Sequence, residues 1–184
     1  RDLPGLDCFV TLSPIPGFMK WLRVQGDAEL SLLETDNWWT GGLQEATKAW
    51  LIGRAVDYFT TAKNERARPL DPVARFHLGN GARLERLNWL GDTSANGRRQ
   101  SAALMVNYRY DLPRIEENHE AYAEASEVVA GKDVKKLLRQ PQATRSLPAR
   151  IPAMNATNYL FTTLERAIPS REKTLIELPD GKLI

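Results

Sequence analysis

Apolar positions recur along this chain with two periods, and the changes from one to the other mark its elements. Cys8 to Leu12 is a short run of strand formers. Ser13-Pro-Ile-Pro-Gly17 halts it, because each proline removes a donor and pushes its predecessor toward extended backbone. Phe18, Trp21 and Leu22 then fall at helical spacing. From Leu43 to Ala62 the period is helical throughout, with Leu51, Ala55, Tyr58, Phe59 and Ala62 on one face and Ile52 and Val56 beside it. Pro69 and Pro72 bound a turn that leads into Val73–His77, and Asn80-Gly81 marks another turn. Leu84 to Leu90 fits either element, its Leu87–Leu90 end reading more like strand. Asp92 to Gly97 is a loop of turn residues. Ser101 to Leu112 is the clearest strand: Leu104, Val106, Tyr108 and Tyr110 alternate with Met105, Asn107, Arg109 and Asp111. Ile115, His119, Tyr122, Ser126 and Val129 return to the helical period and place His119 on a packing stripe. Gly131 suits the cap beyond that helix, and Asp133 suits the start of one more, ending at Leu138.

The order strand, helix, strand, strand, helix predicts an α/β layered domain over residues 1–139. Residues 140–153 hold Pro141, Pro148 and Pro152 among polar residues without a period, a linker composition. From Met154 to Ile184 a helix (Tyr159, Leu160, Leu164) and a hairpin that stops just past Asp180-Gly181 suggest the start of a second domain. With Arg1 in first place, the expectation is a piece of a longer protein.

Composition narrows the class. The chain has 184 residues, 42% hydrophobic and 26% charged, enough to build a core in a soluble globular domain. A net charge of +2, with acids interspersed among the bases, gives no footprint for nucleic acid. No apolar run is long enough to span a bilayer, and residues 1–25 lack the basic start and apolar stretch of a signal peptide. Cys8 is the single cysteine, so no internal disulfide forms and a reducing, cytoplasmic setting is expected.

Candidate chemistry is sparse. His77 and His119 are the only histidines, neither at ligand spacing to a second histidine or cysteine, so no metal site is expected. There is no phosphate-cradling Gly-rich lysine loop and no Gly-x-Ser-x-Gly elbow, so no cofactor is expected either. Ser13 ends a strand on a rigid proline corner, where a hydroxyl can meet a substrate; a turn serine bonding its own backbone explains it as simply. His77 precedes Gly79-Asn80-Gly81, where backbone can approach a ligand, and its type suits proton transfer near neutral pH; a half-buried packing histidine is the alternative. Trp38-Trp39-Thr-Gly-Gly42 can line a pocket or pack a helix start. The Asp92–Gly97 loop can hold phosphate through its backbone or be plain surface.

Together these segments resemble one family. Ser13-Pro-Ile-Pro-Gly-Phe18 with Trp21, then Asp71-Pro-Val-Ala-Arg-Phe-His-Leu-Gly-Asn-Gly-Ala82, then Leu87-Asn-Trp-Leu-Gly-Asp-Thr-Ser94, resemble successive blocks of the malonyl-CoA decarboxylases. Leu104-Met-Val-Asn-Tyr-Arg-Tyr110 and Ile115-Glu-Glu-Asn-His-Glu-Ala-Tyr122 continue the pattern, so the resemblance covers about residues 5–138. It implies the C-terminal part of a GNAT-like acyl-CoA domain, a mixed sheet flanked by helices, lacking the upstream loop that holds the CoA phosphates. It implies decarboxylation of malonyl-CoA to acetyl-CoA and carbon dioxide, with Ser13 and His77 as the catalytic, substrate-touching pair and Tyr110 and Asn107 near the substrate. CoA then belongs to the substrate, and the full-length enzyme is expected to be a homo-oligomer. An acyltransferase on the same fold, or a non-catalytic CoA-binding module, are the alternatives. The tail from Met154 resembles the start of a malonyl-CoA synthetase.

Overall fold

Two prolines do not end the first strand where a count of donors suggests. In the computed structural model, which describes residues 7–35, 38–39 and 44–139, strand β1 runs Cys8–Pro14 and so includes Ser13. Pro14 is tolerated there because β1 is an outer strand, where one missing donor leaves no ladder partner bare. Strand β2 (Arg83–Asn88) and strand β3 (Met105–Asp111) complete a three-stranded sheet of order β1-β3-β2. Both strand pairings are antiparallel, and the parallel link among the described residues is the isolated bridge of Leu84 to Ala130. The physical reason for the antiparallel pairing is order: β3 inserts between two strands that run the same way. A bulge between Leu84 and Arg86 keeps both Leu84 and Leu87 opposite buried partners of β3, Tyr108 and Val106.

The helices are α1 (Phe18–Gln25), α2 (Gln44–Thr60), α3 (Pro72–Gly79), α4 (Ala95–Ser101), α5 (Ile115–Ala125) and α6 (Lys132–Leu138), with a 3₁₀ segment at Ala28–Glu34. One sheet face is buried: Ser13, Leu84, Val106 and Tyr108 join Ile15, Phe18, Leu22, Trp50, Leu51, Phe59, Leu78 and Leu104 in the core. Each fully buried side chain of this kind contributes about 1.5–3 kcal/mol, so the period-2 run of β3 fixes which face turns inward. Val10 and Leu12 of β1 lie on the opposite face and remain more than half exposed.

Several boundaries differ from the expected ones, each for a local reason. The strand expected from Ser101 begins only at Met105, because Ser101 ends α4 and Ala102 and Ala103 take left-handed backbone at φ 49° and 59°. The Ser101 hydroxyl satisfies the carbonyls of Gly97 (3.0 Å) and Leu104 (2.8 Å) across that stop. Asp92–Gly97 is not simply a loop: Ser94 accepts from Gly97 N–H and caps α4, a polar helix that no apolar period announces. β2 starts earlier and ends at Asn88, with Trp89 and Leu90 turning away. The α5 stripe stops at Ala125 because the next residues pair with β2 instead. Leu84 N–H donates to Val129 O and Gly131 N–H to Leu84 O, both at 2.8 Å. Gly131 is consequently the N-cap of α6, not a C-cap of α5, and Asp133 sits inside the first turn. His119 is exposed and donates from Nδ1 to Gly79 O (2.7 Å), while Asn118 takes the buried position expected for it.

Chain contacts divide the molecule into Arg1–Ala149 and Arg150–Ile184. The expected linker (140–153) and second domain (154–184) lie outside the described residues, as do residues 40–42 of the tryptophan-glycine corner. No helix among the described residues is long and apolar enough to cross a membrane.

Candidate active site

Ser13 and His77 are 64 positions apart and meet at 3.2 Å, Oγ to Nε2. Ser13 arrives on β1, opposite Val106, and is 6% exposed. His77 arrives in the last turn of α3. That helix starts where it does because Asp71 caps it, accepting from Ala74 N–H at 2.8 Å, and because Pro72 pre-sets the first turn. The fully buried Asp71 also accepts from the Tyr58 hydroxyl at 3.3 Å. Tyr58 in turn leaves no room for a side chain at Gly17, the residue that follows the serine-bearing corner. One tyrosine of α2 therefore braces the histidine helix and the serine corner together. Burial raises the Asp71 carboxyl above its ordinary range, and bonds from Ala74 and Tyr58 work against that rise.

Three more side chains complete the arrangement. Thr11 shares the Ser13 face of β1 at two-residue spacing, and the two hydroxyls are 3.1 Å apart. On β3, Tyr108 and Tyr110 share a face. The imidazole of His77 stacks on the Tyr108 ring (centroids 4.3 Å, planes 20° apart), and its Nδ1 is 2.7 Å from the Tyr110 hydroxyl. Burial lowers His77 below the ordinary histidine range and raises Tyr110 above the ordinary phenol range. At neutral pH the site thus holds a neutral imidazole against a protonated phenol. If Tyr110 donates to Nδ1, the proton of His77 sits on Nε2 and points at Ser13.

Asn107 is not brought into this group. It pairs with Leu12 on the opposite sheet face, donates to Thr11 O at 2.6 Å and accepts from Asn88 at 2.9 Å, tying the strands together. Thr11 and Tyr108 join the site without a motif of their own; their signal in the sequence is that each lies two residues from another member of the site on a period-2 strand. Among the described residues no group of three or more histidine, cysteine or acidic side chains could hold a metal.

Tyr110→Phe tests the tautomer assignment. Loss of the donor to Nδ1 should lower turnover about tenfold through mixed tautomers, a cost near that of one hydrogen bond to the ring, with little change in KM. A shifted pH profile should accompany it. An unchanged profile and turnover would leave Tyr110 as a packing residue.

A hydroxyl–imidazole–phenol line thus lies at the edge of the helix-covered antiparallel sheet of an α/β domain. The chain belongs to the malonyl-CoA decarboxylase family: residues 1–148 match the model of the malonyl-CoA decarboxylase C-terminal domain. Over 178 residues it is 33% identical to mitochondrial malonyl-CoA decarboxylase of Anser anser anser, covering 80% of this chain and 35% of that protein. The Rattus norvegicus counterpart is also 33% identical, at 80% and 36%. Among solved structures, malonyl-CoA decarboxylase from Rhodopseudomonas palustris is 50% identical with a TM-score of 0.66, over 71% of this chain and 33% of its own. That from Agrobacterium vitis is 48% identical with a TM-score of 0.70, over 76% and 38%. The chain therefore spans about a third of the length of the relatives it matches.

Proposed function

We propose that these residues form the catalytic part of a malonyl-CoA decarboxylase, releasing carbon dioxide and acetyl-CoA without a cofactor. The observation that carries this reading is the line Ser13–His77–Tyr110, in a chain whose family is named for the reaction. Malonyl-CoA contains its own electron sink. As the bond between the carboxylate carbon and the α-carbon breaks, its electron pair moves toward the thioester carbonyl and carbon dioxide leaves. The enolate then takes a proton at the α-carbon, giving acetyl-CoA.

Ser13, with Thr11 beside it, donates to the malonyl carboxylate or the thioester oxygen and orients the breaking bond. His77 gives its Nε2 proton to the α-carbon while Tyr110 supplies a proton to Nδ1. The tyrosinate and the imidazole tautomer are then reset by solvent. A thioester enolate is basic enough at carbon to take a proton from neutral imidazole, so the lowered pKa of His77 is compatible with its role. The reading further includes a GNAT-like acyl-CoA fold extending beyond the described residues, a homo-oligomer, and a reducing cytoplasmic compartment. It also includes a malonyl-CoA synthetase-like segment after Met154. The goose and rat relatives are mitochondrial by description.

The test is carbon dioxide release from malonyl-CoA by the complete protein carrying these residues, before and after Ser13→Ala. Removing a donor aimed at developing charge lowers turnover about 10²–10³-fold in comparable sites, and that is the expected loss. Release that survives the substitution intact removes Ser13 from the mechanism. Acyl transfer to an amine with no carbon dioxide released moves the reading to an acyltransferase.

A further inference from the structure

We propose that a second site, distinct from the Ser13–His77 pair, binds a phosphate monoester. It is a cleft of about 460 Å³ lined by Asn64, Arg66, Arg68, Arg75, Phe76 and Tyr122. Three guanidiniums line it and no carboxylate does. Among the described residues none of the three lies within ion-pairing distance of an acid. The buried Asp71 feels the charge of Arg75 from a distance, which leaves Arg66 and Arg68 uncompensated. Like charges gathered without a counter-charge repel one another, so an arrangement of this kind is best relieved by an anion bearing more than one charge.

The arginines are also held in place before any ligand arrives. Arg75 is anchored through one Nη to the carbonyls of Pro69 (2.9 Å) and Leu70 (2.7 Å), leaving its other donors free for a ligand. Arg68 lies over the Tyr122 ring at 5.2 Å. The loop that carries Arg66 and Arg68 is closed at both ends, by Asn64 N–H to Arg68 O (2.8 Å) and Leu70 N–H to Ala62 O (2.9 Å). The Asn64 side chain accepts from the amides of both Arg66 (3.0 Å) and Arg68 (3.1 Å). Ala67, between them, is held at φ 57°, a left-handed conformation that a non-glycine residue keeps only where its surroundings over-determine it.

The chemistry of these groups selects the ligand. Guanidinium forks match the oxygens of phosphate, and a phosphate monoester carries about two charges where a carboxylate carries one. Phe76, 64% exposed at the rim, offers a flat apolar surface on which a ring can stack. A 3′-phosphorylated adenosine carries both features; free phosphate carries only the first.

Calorimetric titration of the full chain with adenosine 3′,5′-bisphosphate and with inorganic phosphate tests the site independently of any turnover. Saturable binding is expected, weakened about tenfold by Arg66→Gln, in keeping with the loss of one charge-assisted hydrogen bond, and weakened also by added salt. Arg66 is the residue to change because Arg68 packs on Tyr122, and an unchanged melting temperature of Arg66→Gln establishes that the fold is intact. Tighter binding of the bisphosphate assigns the site to a nucleotide, and equal binding assigns it to free phosphate. No saturable binding of either, or equal affinity in Arg66→Gln, overturns the proposal.

Discussion

Replacing His77 by asparagine is expected to lower turnover of malonyl-CoA by about 10²–10⁴-fold, the range a positioned general acid contributes, while KM changes little. Asparagine keeps one amide donor but is too short to hold both contacts of the imidazole, 3.2 Å to Ser13 on one side and 2.7 Å to Tyr110 on the other. It also gives up the stack on Tyr108. In deuterated water, and with malonyl-CoA labelled stereospecifically with tritium at its α-carbon, the wild-type enzyme should deliver a single solvent deuteron and give acetyl-CoA a chiral methyl group of fixed configuration. The variant should deliver it slowly and without preference. A purely structural histidine would instead change KM and melting temperature together and leave the stereochemistry alone. Unchanged turnover would exclude His77 from the mechanism.

The same substitution has a pH signature. Burial lowers the His77 pKa in the folded chain below its unfolded value, so the unfolded chain binds the proton more readily. The ring's contribution to stability is therefore complete above the ordinary histidine range. It is lost progressively as pH falls through that range toward the folded pKa. In His77→Asn that part of the acid sensitivity should disappear.

Gly81→Ala is expected to be the most damaging small change in the described domain. Gly81 has φ 78°, and a methyl carbon there would overlap the carbonyl oxygen of Ile115 and lie 2.8 Å from its Cγ2. Neither can retreat cheaply, because Ile115 opens α5 and Asn118, one turn on, donates to Gly81 O at 3.1 Å. Left-handed backbone costs a residue with Cβ about 1–2 kcal/mol, and overpacking against backbone adds about 1–3 kcal/mol. Together these correspond to a melting point lower by roughly 10 °C in a domain of this size. Gly26 supplies the control: its φ is 72° but nothing lies within 4 Å of an added carbon. Gly26→Ala should show the conformational cost alone. Equal losses in the two variants would mean that the contact with Ile115 relaxes freely and that the steric part of the prediction is wrong.

The Gly81 contact also bears on the site, since it holds the end of α3 against α5 just beyond His77. Loss of stability in Gly81→Ala should consequently be accompanied by weaker turnover, whereas Gly26→Ala, at the far end of α1, leaves the site untouched.

How much of this was legible in the residues follows from what a period can encode. The alternation Leu104, Val106, Tyr108 determined β3 and its buried face, because a one-residue slip would turn every one of those side chains to water. The stripe from Leu51 to Phe59 determined α2 in the same way. Family resemblance, not spacing, singled out Ser13 and His77, each of which had an ordinary local explanation. A period says which way a side chain points and nothing about what stands opposite, so pairing across 64 positions was left to the antiparallel register that sets Ser13 against Val106 and to the docking of α3. The strand period itself put Asn107 on the other face, though it lies only three residues from Tyr110, because odd and even positions face apart; tertiary structure decided which groups it bonds there. It moved His119 to the surface and Asn118 inside, since the turn at Gly81 offers a carbonyl to one and room for the other to point outward. It gave Gly131 to the start of α6, because the free edge of β2 competes for the backbone that would have continued α5. Local pattern determined the elements and their inward faces; the close approach of distant elements alone decided which polar groups meet, and so where a proton can move.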